Sequence, residues 1–446
     1  MKQKKFFILA VAAALMVGCS SDDQVVAEQD IAQMNEALEF GAYINRTTTR
    51  AGLAGDITTA ALQASADGFG IFGYYTADGE YTQNATPNFM YNQQVKYNAG
   101  ETKWEYSPLK YWPNEHGSQA VSDDVEKLSF FAYAPFVNVD IKNGVPTADK
   151  EKGITQLTKN TATGDPIVKY IVDTDPTKTV DLLWGVVPAT TNYSAIENAP
   201  TLTAGLPYVD LTKPAVDSKV NFEFKHALAK FNVQIDAFVD GTDATNALDA
   251  NTKIYVRSIS FSGMALKGAL NLNNTSASQP YWLDYDASKD LNGDENVVFN
   301  DGRKEGKEGT ENGEQKSEMP SSLNAQLIQN QTATTGVTNT AQNLFNNTDA
   351  TKSIFVIPTN EKMDVTIVYD VETVDPSLPG YLSDGTTHGS SIENKIQKLN
   401  IFGDKLEAGK AYTLKLHLGM TSAKFEATVS DWATGSSNDV DLPKNK

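Results

Sequence analysis

The apolar residues of this chain come in short runs that alternate with polar ones and stop at glycine, proline, asparagine or aspartate. Phe69-Gly70-Ile71-Phe72-Gly73-Tyr74-Tyr75, Leu128-Ser129-Phe130-Phe131-Ala132-Tyr133-Ala134-Pro135 and Val220-Asn221-Phe222-Glu223-Phe224 are examples. A period of two sends successive side chains to opposite faces, which suits strands and not helices. Beyond the first twenty residues, long stretches with helical apolar spacing are scarce. The 18 Tyr and 19 Phe favour pleated surfaces, while 31 Gly and 17 Pro supply turns. The expected fold class is therefore all-β, and 446 residues are enough for more than one core.

Charge narrows the partners. With 37 Lys+Arg against 56 Asp+Glu the chain carries a net −19, and such a surface repels phosphate backbones, so no nucleic-acid partner is expected. Catalytic patterns are missing. No G-x-S-x-G, H-E-x-x-H or P-loop occurs, and His116, His226, His388 and His417 are scattered. The series Asp290, Asn292, Asp294 and Asn296 echoes the start of a calcium loop. Glu295 stands where the sharp turn needs glycine, and Asp301 is a short ligand at the twelfth position, so a solvated acidic loop is expected and no metal. No enzyme activity and no cofactor is expected.

The first residues have an export layout. Lys2, Lys4 and Lys5 precede an apolar run over residues 6–17, too short for a membrane span but suited to a signal peptide. The run ends in Leu15-Met16-Val17-Gly18-Cys19, which resembles a lipobox. Cys19 is the only cysteine in the chain, so it forms no intramolecular disulfide. Its position is the one at which lipidation requires a thiol, and two or more acyl chains anchor stably. Residues 1–19 are thus expected to be a lipoprotein signal peptide, with acylated Cys19 in the outer-membrane lipid.

Two further segments have unusual promise. Leu38, Phe40, Ala42 and Ile44 alternate, so one face of this segment suits a core. Directly after it, Asn45-Arg46-Thr47-Thr48-Thr49-Arg50-Ala51-Gly52 places two arginines in a stretch poor at forming helix, a good target for an arginine-specific protease. At the other end Phe425, Ala427 and Val429 alternate, as do Val440 and Leu442 beyond Trp432. Residues 286–317 are charged and Gly-rich and residues 321–347 rich in Asn, Gln and Thr, so 286–350 reads as a surface insertion. Residues 325–329 and 341–345 are expected to be short helices within it.

Several motifs, taken in order, resemble the fimbrillin family of Bacteroidales, which builds type V pili. They are the strand followed by Thr-Thr-Arg50-Ala51, Trp104-Glu105-Tyr106-Ser107-Pro108, Asp181-Leu182-Leu183-Trp184-Gly185, Phe222-Glu223-Phe224-Lys225-His226-Ala227-Leu228, Ser353-Ile354-Phe355-Val356-Ile357-Pro358 and Val429-Ser430-Asp431-Trp432. The acidic Ser20-Ser21-Asp22-Asp23 after Cys19 looks like a surface-export signal of Bacteroidetes lipoproteins. The resemblance implies two transthyretin-like β-sandwich domains in tandem, split near residue 218 into 51–218 and 219–446, after a propeptide over 20–50. It implies a cut after Arg50 (or Arg46), loss of the strand bearing Leu38, Phe40, Ala42 and Ile44, and donor-strand exchange with other pilus subunits. Phe425, Ala427, Val429, Val440 and Leu442 are the donor candidates. It implies a lipoprotein precursor at the outer membrane and then an extracellular fimbrium; a shaft position is favoured over a tip position, which stays open. The competing expectation is a surface lipoprotein that binds glycan or host protein without polymerising.

Overall fold

A computed structural model describes residues 37–44, 57–113, 126–147, 152–173, 178–195, 200–215, 218–238, 248, 250–283, 297–300, 336–346, 353–359, 363–374, 377, 390–402, 406–420, 423–431 and 437–438. Among them strands dominate, arranged in four sheets, with one short helix, α1 (Thr59–Ala64). Cys19, Arg46, Arg50, Trp432, Val440, Leu442, the expected helix at 325–329 and most of 286–350 lie outside the described residues.

The first sheet has eight strands. Along its main path run β1 (Phe40–Ile44), β10 (Val220–His226), β8 (Leu183–Val186), β5 (Leu128–Ala134), β2 (Phe69–Tyr75), β3 (Met90–Asn98) and β4 (Lys103–Glu105), with β9 (Tyr208–Leu211) also paired to β5. Every residue of β5 is buried, because this strand has a core on each side. Leu128, Phe130 and Ala132 enter one core, which also takes Phe69 and Ile71 of β2. Phe131 and Tyr133 enter the other with Phe72 and Tyr74. The double-sided apolar run in the sequence is the mark of such a central strand.

A second, four-stranded sheet holds β6 (Ile154–Leu157), β7 (Ile167–Ile171), β13 (Lys267–Asn271) and β14 (Tyr281–Leu283). Its apolar side chains, among them Ile154, Val168, Tyr170 and Leu270, share a core with Phe72, Tyr133 and Trp184 of the first sheet. The remaining two sheets sandwich a third core. One contains β11 (Ala229–Ala237), β16 (Gln342–Asn343), β17 (Ile354–Val356), β20 (Lys410–Leu418), β21 (Ala423–Asp431) and β22 (Ser437–Asn438). The other contains β12 (Thr252–Ser262), β15 (Val297–Asn300), β18 (Met363–Val374) and β19 (Ser390–Phe402). Alternation is clean in β20, where Tyr412, Leu414, Leu416 and Leu418 are buried and the residues between them are not.

Two expectations meet the structure differently. Residues 212–215, short of the split expected near residue 218, lie in no strand, and β10, which begins at Val220, is hydrogen-bonded to β8 and β1 in the first sheet. The chain enters its later sandwich only at β11, past the buried Ala227 and Leu228. Residues 341–345 form no helix. Gln342 and Asn343 pair with β11, Leu344 N–H donates to Val233 O at 2.8 Å, and Leu344 and Phe345 are buried. Five residues are too few to nucleate a helix against that competition.

Candidate functional site

The alternating segment at residues 38–44 forms β1, an edge strand of the first sheet. It runs parallel to β10 in the register Phe40↔Val220, Gly41↔Asn221, Ala42↔Phe222, Tyr43↔Glu223 and Ile44↔Phe224. Leu38, Phe40, Ala42 and Ile44 are all buried, at 4, 3, 9 and 5 % exposure, in one core with Leu62 of α1, Phe69, Phe130, Phe222 and Phe224. Phe40 is its anchor. Its ring meets Tyr106 and Phe130 edge-on, each at 5.4 Å between centroids, and stacks on Phe222 at 6.3 Å. Such aromatic contacts add to the burial itself.

Both ends of the strand are tied. Leu38 N–H donates to Lys110 O at 2.9 Å, and Tyr106 Oη donates to Leu38 O at 2.7 Å. Burial pushes the Tyr106 phenol up to about 12, so it remains a donor at neutral pH. At the other end Ile44 N–H donates to Thr59 Oγ1 at 2.9 Å, and Thr59 Oγ1 donates back to Ile44 O at 3.2 Å. Thr59 is placed by α1, whose first turn is capped by Thr58 Oγ1 accepting from Ala61 N–H at 3.0 Å.

Among the described residues no strand pairs with the far edge of β1. The sheet closes round its core until β1 and β4 approach within 8 Å between Cα atoms, leaving a groove lined by Phe40, Ala42, Gln63, Lys103 and Trp104. β1 is therefore held by one neighbour along its length, by its apolar face and by its two ends. On its outward face Glu39 pairs with Lys219, and Tyr43 lies beside Glu223. The Tyr43 phenol is raised, first by burial and then by that carboxylate.

Of the sequence-selected residues, Leu38, Phe40, Ala42 and Ile44 are brought together here. Phe425, Ala427 and Val429 lie elsewhere, on β21, hydrogen-bonded along β20 from Leu418↔Ala423 to Lys410↔Asp431. Ala427 is buried in the core of the later sandwich, and Phe425 and Val429 pack against it. Tyr106, Thr59 and Lys110 were not singled out as a set by sequence. Tyr106 stood in the Trp104–Pro108 motif, but nothing marked its hydroxyl as a clamp.

The arrangement binds a strand and does no evident chemistry. His226 Nδ1 lies 2.7 Å from Asp181 Oδ2, and His417 Nδ1 lies 2.6 Å from Asp236 Oδ1. The two pairs lie in different parts of the fold and do not combine into one site. Among the described residues no three His, Cys, Asp or Glu side chains gather as a metal site, and no helix is long and apolar enough to cross a membrane.

Comparison with known proteins places this architecture. The chain is 25 % identical over 451 residues to a fimbrium subunit, Fim1C, of Phocaeicola vulgatus, covering 99 % of each chain. A solved structure of a fimbrilin from Porphyromonas gingivalis matches 89 % of this chain and 98 % of its own, at 9 % identity and a TM-score of 0.34. The model of the fimbrillin-like family matches residues 49–432, most of the chain, and the protein belongs to that family, whose members are structural fimbrial proteins and not enzymes.

Proposed function

We propose that this protein is a subunit of a type V pilus that is assembled by removing β1 and filling its seat with a strand from another subunit, in support of adhesion. The observation that carries this reading is β1 itself. It is an edge strand with Phe40, Ala42 and Ile44 buried and Leu38 buried just before it, and the chain that follows it carries Arg46 and Arg50. A cut there severs the backbone between β1 and α1.

Loss of β1 strips Leu38, Phe40 and Ile44 from their core, at about 1.5–3 kcal/mol each, and leaves the edge of β10 unpaired. Exposed core and an open edge favour capture of another strand. Export as a lipoprotein through Cys19 holds the precursor at the outer membrane until an arginine-specific protease acts. A shaft position follows if the same chain also donates a strand. Phe425, Ala427 and Val429 are candidates that must leave β20 to do so, and Val440 and Leu442 are candidates in the tail.

The test is proteolysis of the recombinant precursor with an arginine-specific enzyme, followed by size-exclusion chromatography and unheated gel electrophoresis. Cutting near Arg50 with release of β1, and capture of a donor strand from another pilus subunit in a detergent-resistant complex, is expected. Quantitative cutting with β1 permanently retained excludes the mechanism. The glycan- or host-protein-binding alternative keeps β1 in the mature protein, so an N-terminus at Cys19 rather than Ala51 in protein isolated from cells decides for it.

A further inference from the structure

The floor of the β1 seat accepts any strand with apolar residues at alternate positions, but its rim is more demanding. Resting on the strand-exchange reading above, we infer that Asn221 and Lys219 select the incoming strand. They favour glycine opposite Asn221 and disfavour a cation opposite Lys219, so the seat prefers a Gly-bearing strand of a different chain to β21 of a second copy.

The rim is the outward face of β10 and the residue before it. Lys219 pairs with Glu39, Asn221 faces Gly41, and Glu223 faces Tyr43. Gly41 is at an ordinary strand position, so its backbone does not demand glycine. What demands it is space, since a Cβ on residue 41 would overlap Asn221 Oδ1 and press on Asn221 Cγ at 3.0 Å. One side-chain hydrogen bond holds the Asn221 amide across that space. Its Nδ2 donates to Asn192 Oδ1, and its own carbonyl accepts from Tyr208 Oη at 2.7 Å, fixing the backbone from which the side chain springs. The amide lies across the glycine like a bar.

Against this rim the chain's own C-terminal strand is half a match. Ala423, Phe425, Ala427 and Val429 repeat the spacing of Leu38, Phe40, Ala42 and Ile44, even to Phe-x-Ala-x-aliphatic. The residues between them do not. Lys424 takes the place of Glu39 and meets Lys219, and Glu426 takes the place of Gly41 and meets Asn221. Reversing the strand leaves Glu426 at the centre. The tail fares no better. Its glycine, Gly435, is flanked by Thr434 and Ser436 where Phe40 and Ala42 belong, and setting Val440 and Leu442 into the apolar positions puts Asp439, Asp441 or Pro443 under Asn221. The strand that fits reads apolar, acidic or neutral, aromatic or large aliphatic, Gly, small, any, aliphatic.

The test uses the full chain with Arg303→Lys, nicked at residues 46–50 by an arginine-specific protease. Arg257 sits inside β12, paired with Asp370. Nicking leaves β1 seated without a covalent tie, and labelled peptides are then offered in excess and read by fluorescence anisotropy. The peptide of residues 37–45 is expected to exchange in. Its Gly41→Ala form is expected to bind about tenfold to a hundredfold more weakly, the range set by overpacking. The peptide of residues 422–431 is expected to bind at least as weakly, and to recover with Glu426→Gly and Lys424→Glu together. In the protein, Asn221→Gly or Asn221→Ser is expected to restore the Gly41→Ala peptide. Equal binding of the native and Gly41→Ala peptides, or tight binding of unmodified 422–431, overturns the selectivity while leaving strand exchange intact. Failure of the native 37–45 peptide to exchange at all overturns both.

Discussion

Phe40 shows how one side chain holds a strand in place. Three rings surround it and nothing replaces them on truncation, so Phe40→Ala is expected to cost about 3–5 kcal/mol, read as a lower urea midpoint by tryptophan fluorescence. Tyr106 adds a pH limit. Its phenol is raised by burial from its ordinary value of 10.0 to about 12. Its contribution is complete below pH 10 and is lost as the pH rises through 10 to 12, because the unfolded chain ionises first. The grip on β1 is therefore expected to weaken across that window, and Tyr106→Phe to lessen the alkaline fall in a pH series of melting temperatures, other buried tyrosines such as Tyr208 keeping the rest. The apolar contacts of Leu38, Phe40, Ala42 and Ile44 were legible as an alternation. The clamps were not, because Tyr106 and Leu38 are 68 residues apart and Thr59 and Ile44 are 15 apart. A hydroxyl that closes on a distant carbonyl leaves no period in the sequence.

At the scale of elements, exposure of the backbone separates β1 from β5. β5 is central and buried on both faces, whereas β1 is paired along one edge only. Native-state hydrogen exchange is therefore expected to find the β1 amides opening at lower free energy than those of β5, and to find β1 released first after nicking at 46–50. A slower β1 would count against its being the strand that leaves. Most strands were visible as apolar runs, because burial on one or two faces imposes its own pattern. Residues 342–343 form a strand where a helix over 341–345 was expected, because adjacent apolar residues such as Leu344 and Phe345 do not say which period they belong to. The sheet changes after β10, and a polar stretch with a proline looks the same in sequence inside a domain as between domains.

For the whole molecule the second core matters most. It joins Phe72, Tyr133 and Trp184 of the first sheet to Leu228, Leu270, Phe355 and Ile357 from later in the chain, so the halves share their interior. Phe355→Ala is expected to cost about 3–5 kcal/mol and to lower the unfolding temperature of both halves together in calorimetry. A shift confined to the later sandwich would contradict the shared core. No composition or motif revealed this, since a core built from both ends of a chain is a fact of topology. The parallel pairing of β1 with β10 has a mechanical side. The wall of the seat continues, past Ala227 and Leu228 alone, into β11 at the heart of the later sandwich. Tension along an occupant of that seat loads its five backbone pairs in shear, so they fail together and not one by one like a zip. The same pull passes down a single stretch of backbone from one sandwich to the next.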